Sequence, residues 1–190
     1  MKFFHNNMEF DIPQSVYEPR EDSLLLLESV KEIKGKKVLE VGCGSGIISI
    51  ILAKQNDVTA VDINEEAVEA TKKNAEMNNV HLKCFQSDLF SDISDTFDII
   101  LFNPPYLPAE EEDLTYSGGA DGRQVIEKFI PQCRNYLKND GEIYLLISSL
   151  TGKEEVMKLF RKNNFSAEII KKEKISWEEL IVICAHPDKI

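Results

Sequence analysis

Cysteine, histidine and tryptophan are scarce in this 190-residue chain, which holds four, three and one of them. The cysteines (Cys43, Cys84, Cys133 and Cys184) lie far apart and form no C-x-x-C pair, and His5, His81 and His186 are equally isolated. Neither a disulfide framework nor a zinc site is expected, which points to a metal-free protein of a reducing cytoplasm. Basic residues are outnumbered, 22 against 33 acidic, giving a formal net charge of -11. That deficit weighs against a surface built to grip phosphate backbones. Lys158, Arg161, Lys162, Lys171, Lys172 and Lys174 do cluster late in the chain, but such a cluster reads first as solvated helix and strand faces. Long apolar runs are missing too. The strongest, Ile47 to Ala53, is far below membrane-spanning length, and Met1 to Phe10 is too polar for a secretory leader. No Gly/Ser linker, repeat or low-complexity tract interrupts the sequence. The length suits one domain with an adequate core.

What the chain does have is alternation. Helical patterns over Arg20–Ile33, Gly46–Lys54, Glu65–Met77, Gly122–Leu137 and Lys153–Asn163 alternate with strand patterns over Lys37–Val41, Val58–Asp62, Val80–Gln86, Phe97–Asn103 and Gly141–Ser148. Two further strands, Ala167–Lys174 and Trp177–Ala185, follow with only Ile175-Ser176 between them. This predicts a single α/β domain, a Rossmann-like, mostly parallel seven-stranded sheet with one antiparallel strand and helices on both faces. Ligands of such sheets bind beyond the carboxyl ends of the strands, at the switch point.

The first candidate site lies at such an end. Asn103-Pro104-Pro105-Tyr106 directly follows the apolar strand Phe97–Phe102. Asn103 offers an amide oxygen as acceptor, and each proline removes an N–H and fixes the backbone, so nearby carbonyls are held as further acceptors. Tyr106 can lie flat against a planar group. The combination suits gripping an NH2 group and presenting its nitrogen to an electrophile. Asn and Pro are also ordinary turn residues, so the tetrapeptide alone leaves a plain turn open.

The second candidate is Val38-Leu39-Glu40-Val41-Gly42-Cys43-Gly44-Ser45-Gly46, a strand running into a glycine-rich turn and a helix. It is not the dinucleotide fingerprint, because Ile47 stands where G-x-G-x-x-G needs its last glycine. Glu40 also aims a negative charge where a pyrophosphate would rest. Asp62 ends the second strand, suited to ribose hydroxyls, and Asp88 follows the third with Leu89 beside it, suited to an adenine amine and ring. Three acids after three strands plus the glycine loop describe a pocket for an adenosyl ligand without phosphates. S-adenosyl-L-methionine, leaving as S-adenosyl-L-homocysteine, is such a ligand.

With these motifs the chain resembles the HemK/PrmC-type class I S-adenosylmethionine-dependent methyltransferases. Tyr17-Glu18-Pro19-Arg20-Glu21-Asp22-Ser23 resembles the leading segment Y-E-P-x-E-D-[ST] of their short archaeal and eukaryotic branch, and Gly118-Gly119-Ala120-Asp121-Gly122-Arg123 resembles its G-G-x-x-G-R loop. Ser23 stands where threonine is common, which keeps the hydroxyl. The resemblance implies cofactor contacts from Tyr17, Ser23, Glu40, Gly42, Gly44, Gly46, Asp62, Ile63, Asp88, Leu89 and Asn103, with residues 1–35 forming a segment and helix packed over the cofactor. It implies a grip on the substrate amide by Asn103, Pro104, Pro105 and Tyr106, with Asn103, Pro104 and Tyr106 as the catalytic set. It further implies N5-methylation of the glutamine of the Gly-Gly-Gln motif in a translation termination factor, and a small zinc-binding activator subunit as heterodimer partner. The edge strand Val80–Phe85 is apolar enough to accept a partner strand. Other members of the set sharing the tetrapeptide methylate adenine N6 of DNA or RNA, and some relatives methylate protein lysine. Against nucleic acid stand the net charge and the acidic run Glu110-Glu111-Glu112-Asp113 just after the tetrapeptide. A third reading, a cofactor-binding scaffold for another subunit, sits poorly with an intact Asn103 and a full acid set. No histidine lies near these motifs, so no dedicated base is assigned and the proton leaves to solvent.

Overall fold

Alternating phenylalanines and an Asn-Asn dipeptide open the chain with a β-hairpin. Strand β1 (Lys2–His5) pairs antiparallel with β2 (Met8–Asp11). Asn6 and Asn7 both take positive φ (46° and 63°), which the tight two-residue turn demands and asparagine tolerates. The computed structural model describes residues 1–106 and 122–189. Beyond the hairpin come α1 (Glu21–Val30), β3 (Lys37–Val41), α2 (Ile47–Ala53), β4 (Asp57–Asp62), α3 (Glu65–Met77), β5 (Lys83–Gln86) and β6 (Phe97–Phe102). Then follow α4 (Gln124–Tyr136), β7 (Leu137–Ser148), a 3-10 turn (Ser149–Thr151), α5 (Lys153–Lys162), β8 (Phe165–Lys174) and β9 (Glu179–Pro187).

The second sheet has seven strands in the order β5-β4-β3-β6-β7-β9-β8. Strand β9 runs antiparallel to both β7 and β8, while the other recorded pairs are parallel. This is the expected mostly parallel sheet with one antiparallel member, and β5 is an edge strand as expected. The chain divides into two compact units, Met1–Ser94 and Asp95–Ile190.

In the first unit the pleat fixes what faces where. Val38, Leu39, Val58, Ala60 and Val61 are buried along β3 and β4, and Leu25, Leu26, Leu27 and Val30 of α1 are buried with them. Near-continuous apolar strands of this kind suit a parallel sheet covered on both faces. The hairpin, which the sequence reading did not foresee, is held by side chains that imitate a strand. Asn74 on α3 and Asn78, the residue that caps its carboxyl end, each accept a backbone N–H and donate to a backbone C=O, Asn74 at Asp11 (2.8 and 3.2 Å) and Asn78 at Glu9 (3.2 and 2.7 Å). Strand β5 is shorter than expected. Asn79 takes φ 53° and Val80 N–H donates to Ala75 C=O at 2.9 Å, so residues 80–82 belong to the helix exit.

The second unit centres on buried phenylalanines. Phe102 and Phe129 pack tilted with centroids 4.7 Å apart, and Phe160 meets Phe165 edge-on at 6.1 Å. Strand β7 begins at Leu137, four residues before the expected Gly141, because Leu137 already pairs with Phe97 ahead of an irregularity in register. A side chain at Gly141 would meet Asp98 C=O at 2.8 Å, which is why the strand crosses there on glycine. The β8–β9 turn spans 175–178, closed by Ile175 N–H donating to Glu178 C=O at 3.0 Å.

Candidate functional site

Parallel register brings the carboxyl ends of β3, β4 and β5 level. Val41 pairs with Val61 and Val61 with Phe85, so Gly42, Asp62 and Gln86 end their strands together. The loop after β3 folds back on left-handed glycines, Gly42 (φ 67°), Gly44 (φ 54°) and Gly46 (φ 80°). Asp62 fastens it: one carboxylate oxygen accepts Gly44 N–H and the other Asn64 N–H, both at 2.9 Å. From α3, Thr71 Oγ1 donates to Gly44 C=O at 3.1 Å and Asn74 Nδ2 to Ser45 C=O at 2.9 Å. Thr71 and Asn74 are functional supports that the sequence reading missed. Their signal was two polar residues, three apart, on the face of α3 that buries Ala67, Val68, Ala70 and Ala75.

Gly44 and Gly46 differ in the room around them. At Gly44 an added Cβ would meet nothing within 4 Å, whereas at Gly46 it would lie 2.8 Å from Thr71 Cγ2 and Oγ1. Gly46→Ala should cost about 2–3 kcal/mol, from left-handed strain plus the clash. Gly44→Ala should cost only about 1–2 kcal/mol of strain. Paired thermal melts and cofactor titrations check the contrast: Gly46→Ala lowers the unfolding temperature more, while Gly44→Ala, filling open space above the loop, weakens cofactor binding beyond its effect on stability.

Glu40 is the electrostatic centre of this end. It is only 4% exposed, and the Ser49 hydroxyl donates to its Oε2. Burial pushes its carboxyl up to about 8, opposed by the Ser49 bonds and raised further by the nearby Asp62. Burial also raises Asp62, against the backbone N–H donors that favour its charge. No lysine or arginine pairs with either acid among the described residues. Beyond β5, Asp88 is exposed and Leu89 adopts φ 51°, a conformation a bulky residue holds only when its surroundings impose it. Ile63 is an apolar side chain left 46% exposed beside Asp62. Three acidic side chains with no cationic partner among the described residues, an open glycine surface and exposed Ile63 fit a cationic, phosphate-free adenosyl ligand.

The leading segment is organised by a residue the sequence reading did not single out. Asp22 is buried in the first turn of α1, where it accepts the Tyr17 hydroxyl at 2.9 Å and Ser23 N–H at 2.7 Å. Tyr17 and Ser23 are thus brought together with Asp22. In the second unit, Asn103 stands half-buried at the end of β6, followed by buried Pro104 and half-buried Pro105 and Tyr106. All peptide bonds described there are trans. The acidic run Glu110–Asp113 and the stretch Gly118–Asp121 of the second motif lie outside the described residues. Arg123, which closes that motif, donates from Nη1 to Thr151 C=O at 2.9 Å, tying the start of α4 to the 3-10 turn after β7.

The profile of the family described as "Methyltransferase small domain" matches residues 18–174. A Methanocaldococcus jannaschii protein, provisionally named a protein N5-glutamine methyltransferase, is 45% identical over 179 residues, which cover 90% of this chain and 91% of that one. The human methyltransferase HEMK2 is 30% identical over 200 residues, covering 95% and 94%. Among solved structures, E. cuniculi Mtq2, determined in complex with Trm112, superposes with a TM-score of 0.79 at 28% identity, over 92% of this chain and all of that one. The chain belongs to the HemK-type class I methyltransferases of the methyltransferase small-domain family.

Proposed function

We propose that this protein transfers the methyl group of S-adenosylmethionine to N5 of the glutamine in the Gly-Gly-Gln motif of a translation termination factor. The observation that carries this is the 45% identity, over nine-tenths of the chain, to a relative named for N5-glutamine methylation. The solved E. cuniculi complex, described as responsible for methylating the termination factor eRF1, supports the same acceptor.

When bound, S-adenosylmethionine supplies an electrophilic methyl group. Gly42, Gly44, Gly46, Glu40, Asp62, Ile63, Asp88 and Leu89 hold it, with Tyr17 and Ser23 contributing from the segment over residues 1–35. An amide nitrogen is a poor nucleophile, since its lone pair is delocalised into the carbonyl. Asn103 Oδ1 and the Pro104 carbonyl accept the two N–H bonds of the target amide, orienting the lone pair and stabilising positive charge as it develops. Tyr106 packs against the amide plane. The proton passes to solvent.

The solved relative is a complex with Trm112, which supports a small activator subunit here as well, of the zinc-binding kind the sequence resemblance implies. Strand β5, at the edge of the sheet, offers the unpaired backbone such a subunit would extend. Labelled S-adenosylmethionine offered with a Gly-Gly-Gln termination factor, with RNA or DNA, or with neither tests the reading, each with and without an activator subunit. Label is expected in the factor, and its loss on changing the motif glutamine to alanine. Label in nucleic acid alone would overturn the proposal.

A further inference from the structure

The one tryptophan of the chain is its most conspicuous surface residue. Trp177 is 93% exposed at the tip of the β8–β9 hairpin, and Leu150, in the 3-10 turn after β7, is 51% exposed. Water gains nothing from so large an apolar side chain held out, so its position calls for an occupant.

Register shows where the hairpin points. Phe102, which precedes Asn103, pairs with Leu145, Leu145 with Ile183, and Ile183 with Ile169. From that level β9 and β8 continue together to the pair Glu179–Lys174, while β7 stops at Ser148. The tip therefore rises about 13 Å past the level of Asn103 and stands roughly 14 Å to its side, by ordinary strand rise and spacing. It stands at the same end of the second unit's strands as Asn103. The hairpin base is braced: Glu179 N–H donates to Ser149 Oγ at 3.0 Å, and the 3-10 turn is in turn held by Arg123 at Thr151.

We propose that this braced tip, Trp177 with Leu150, is the docking surface for the folded methyl-acceptor protein. The inference rests on the protein-acceptor reading above. A small acceptor held at Asn103 would not reach a contact some 20 Å away by strand geometry, whereas a folded protein presenting a glutamine loop would cover it. The charges around the tip weigh against nucleic acid. Over 171–179 the bases Lys171, Lys172 and Lys174 are matched by the acids Glu173, Glu178 and Glu179, and Lys172 is paired with Glu179 at 2.7 Å, so the tip carries no net positive charge. A phosphate backbone finds no attraction there, while an apolar pocket with a neutral or basic rim on a protein is complementary.

Methyl transfer into an intact termination factor and into a short Gly-Gly-Gln peptide, compared for wild type, Trp177→Ala and Leu150→Ala, tests the surface. Trp177→Ala should raise KM for the factor at least about tenfold, as expected for an aromatic anchor, while kcat/KM for the peptide and the unfolding temperature stay unchanged. Tryptophan emission gives a second readout without turnover. On adding a tryptophan-free factor, emission should shift to shorter wavelength and become shielded from iodide, and RNA should do neither. An unchanged factor KM in an active Trp177→Ala enzyme overturns the docking surface, as does shielding by RNA instead of the factor. A wild type that labels neither factor nor peptide shows instead that the acceptor reading itself has failed, and the docking surface falls with it.

Discussion

Replacing Asn103 by alanine is expected to lower turnover about 10²-fold or more, the typical loss when one preorganised hydrogen-bonding group is removed from a reacting centre. The effect should fall on kcat more than on KM, because the proposed role of the group is to stabilise charge that develops on nitrogen only during transfer. Asn103→Asp, which keeps an acceptor oxygen at the same place, should lose less. Steady-state kinetics on a glutamine acceptor, with a thermal melt of each variant, reads both quantities. Asn103 is half-buried at the strand end, so the melts should differ little. If alanine raised KM and left kcat intact, the residue would be binding the acceptor without acting on the reaction.

The second large effect is a pH dependence centred on Glu40. Its usual value of 4.5 is raised to about 8 in the folded chain, chiefly by burial. Below about pH 4.5 the carboxyl is protonated whether the chain is folded or not, and its contribution to stability is fully present. Between there and about pH 8 the folded chain keeps a proton that the unfolded chain releases, so stability falls as pH rises, by up to about 1.4 kcal/mol per pH unit. Glu40→Gln, which stays neutral and can still accept from Ser49, should flatten that slope in denaturant titrations at pH 5 to 8. A cationic ligand reverses the preference for the neutral form. S-adenosylmethionine should therefore bind more tightly as pH approaches 8 and should release a proton near neutrality. Calorimetry in buffers of different ionisation enthalpy measures that proton directly. Binding heats independent of buffer, together with an unchanged slope in Glu40→Gln, would remove Glu40 from this role.

Much of this architecture was legible because each element carried its own period. The alternation of apolar strands with amphipathic helices gave the parallel sheet, and two strands without an intervening helix gave the single antiparallel member, β9. The acids were legible because strand ends are marked by where apolar runs stop. What escaped detection depends on distant partners. The Asn6-Asn7 turn was visible as a dipeptide, but the hairpin it makes is held by Asn74 and Asn78, more than sixty positions away. Asp22 reads as an ordinary charge in a first helical turn until Tyr17 is seen to bond it. Glu40 could be placed at the end of its strand beside the glycine loop, but its protonation follows from burial and from Ser49, neither of which a linear pattern encodes. The strain at Leu89 is likewise a property of φ and not of residue type.

One amide, that of Asn74, bonds the last residue of the N-terminal hairpin and the cofactor loop at once. No other side chain can take over that job. Aspartate cannot donate, serine and threonine are too short to span both segments, and glutamine carries its amide one carbon too far. Position 74 is therefore closed to gradual drift: a lineage that lost asparagine there would have to rebuild the hairpin and the loop together, although the residue itself is shut off from solvent.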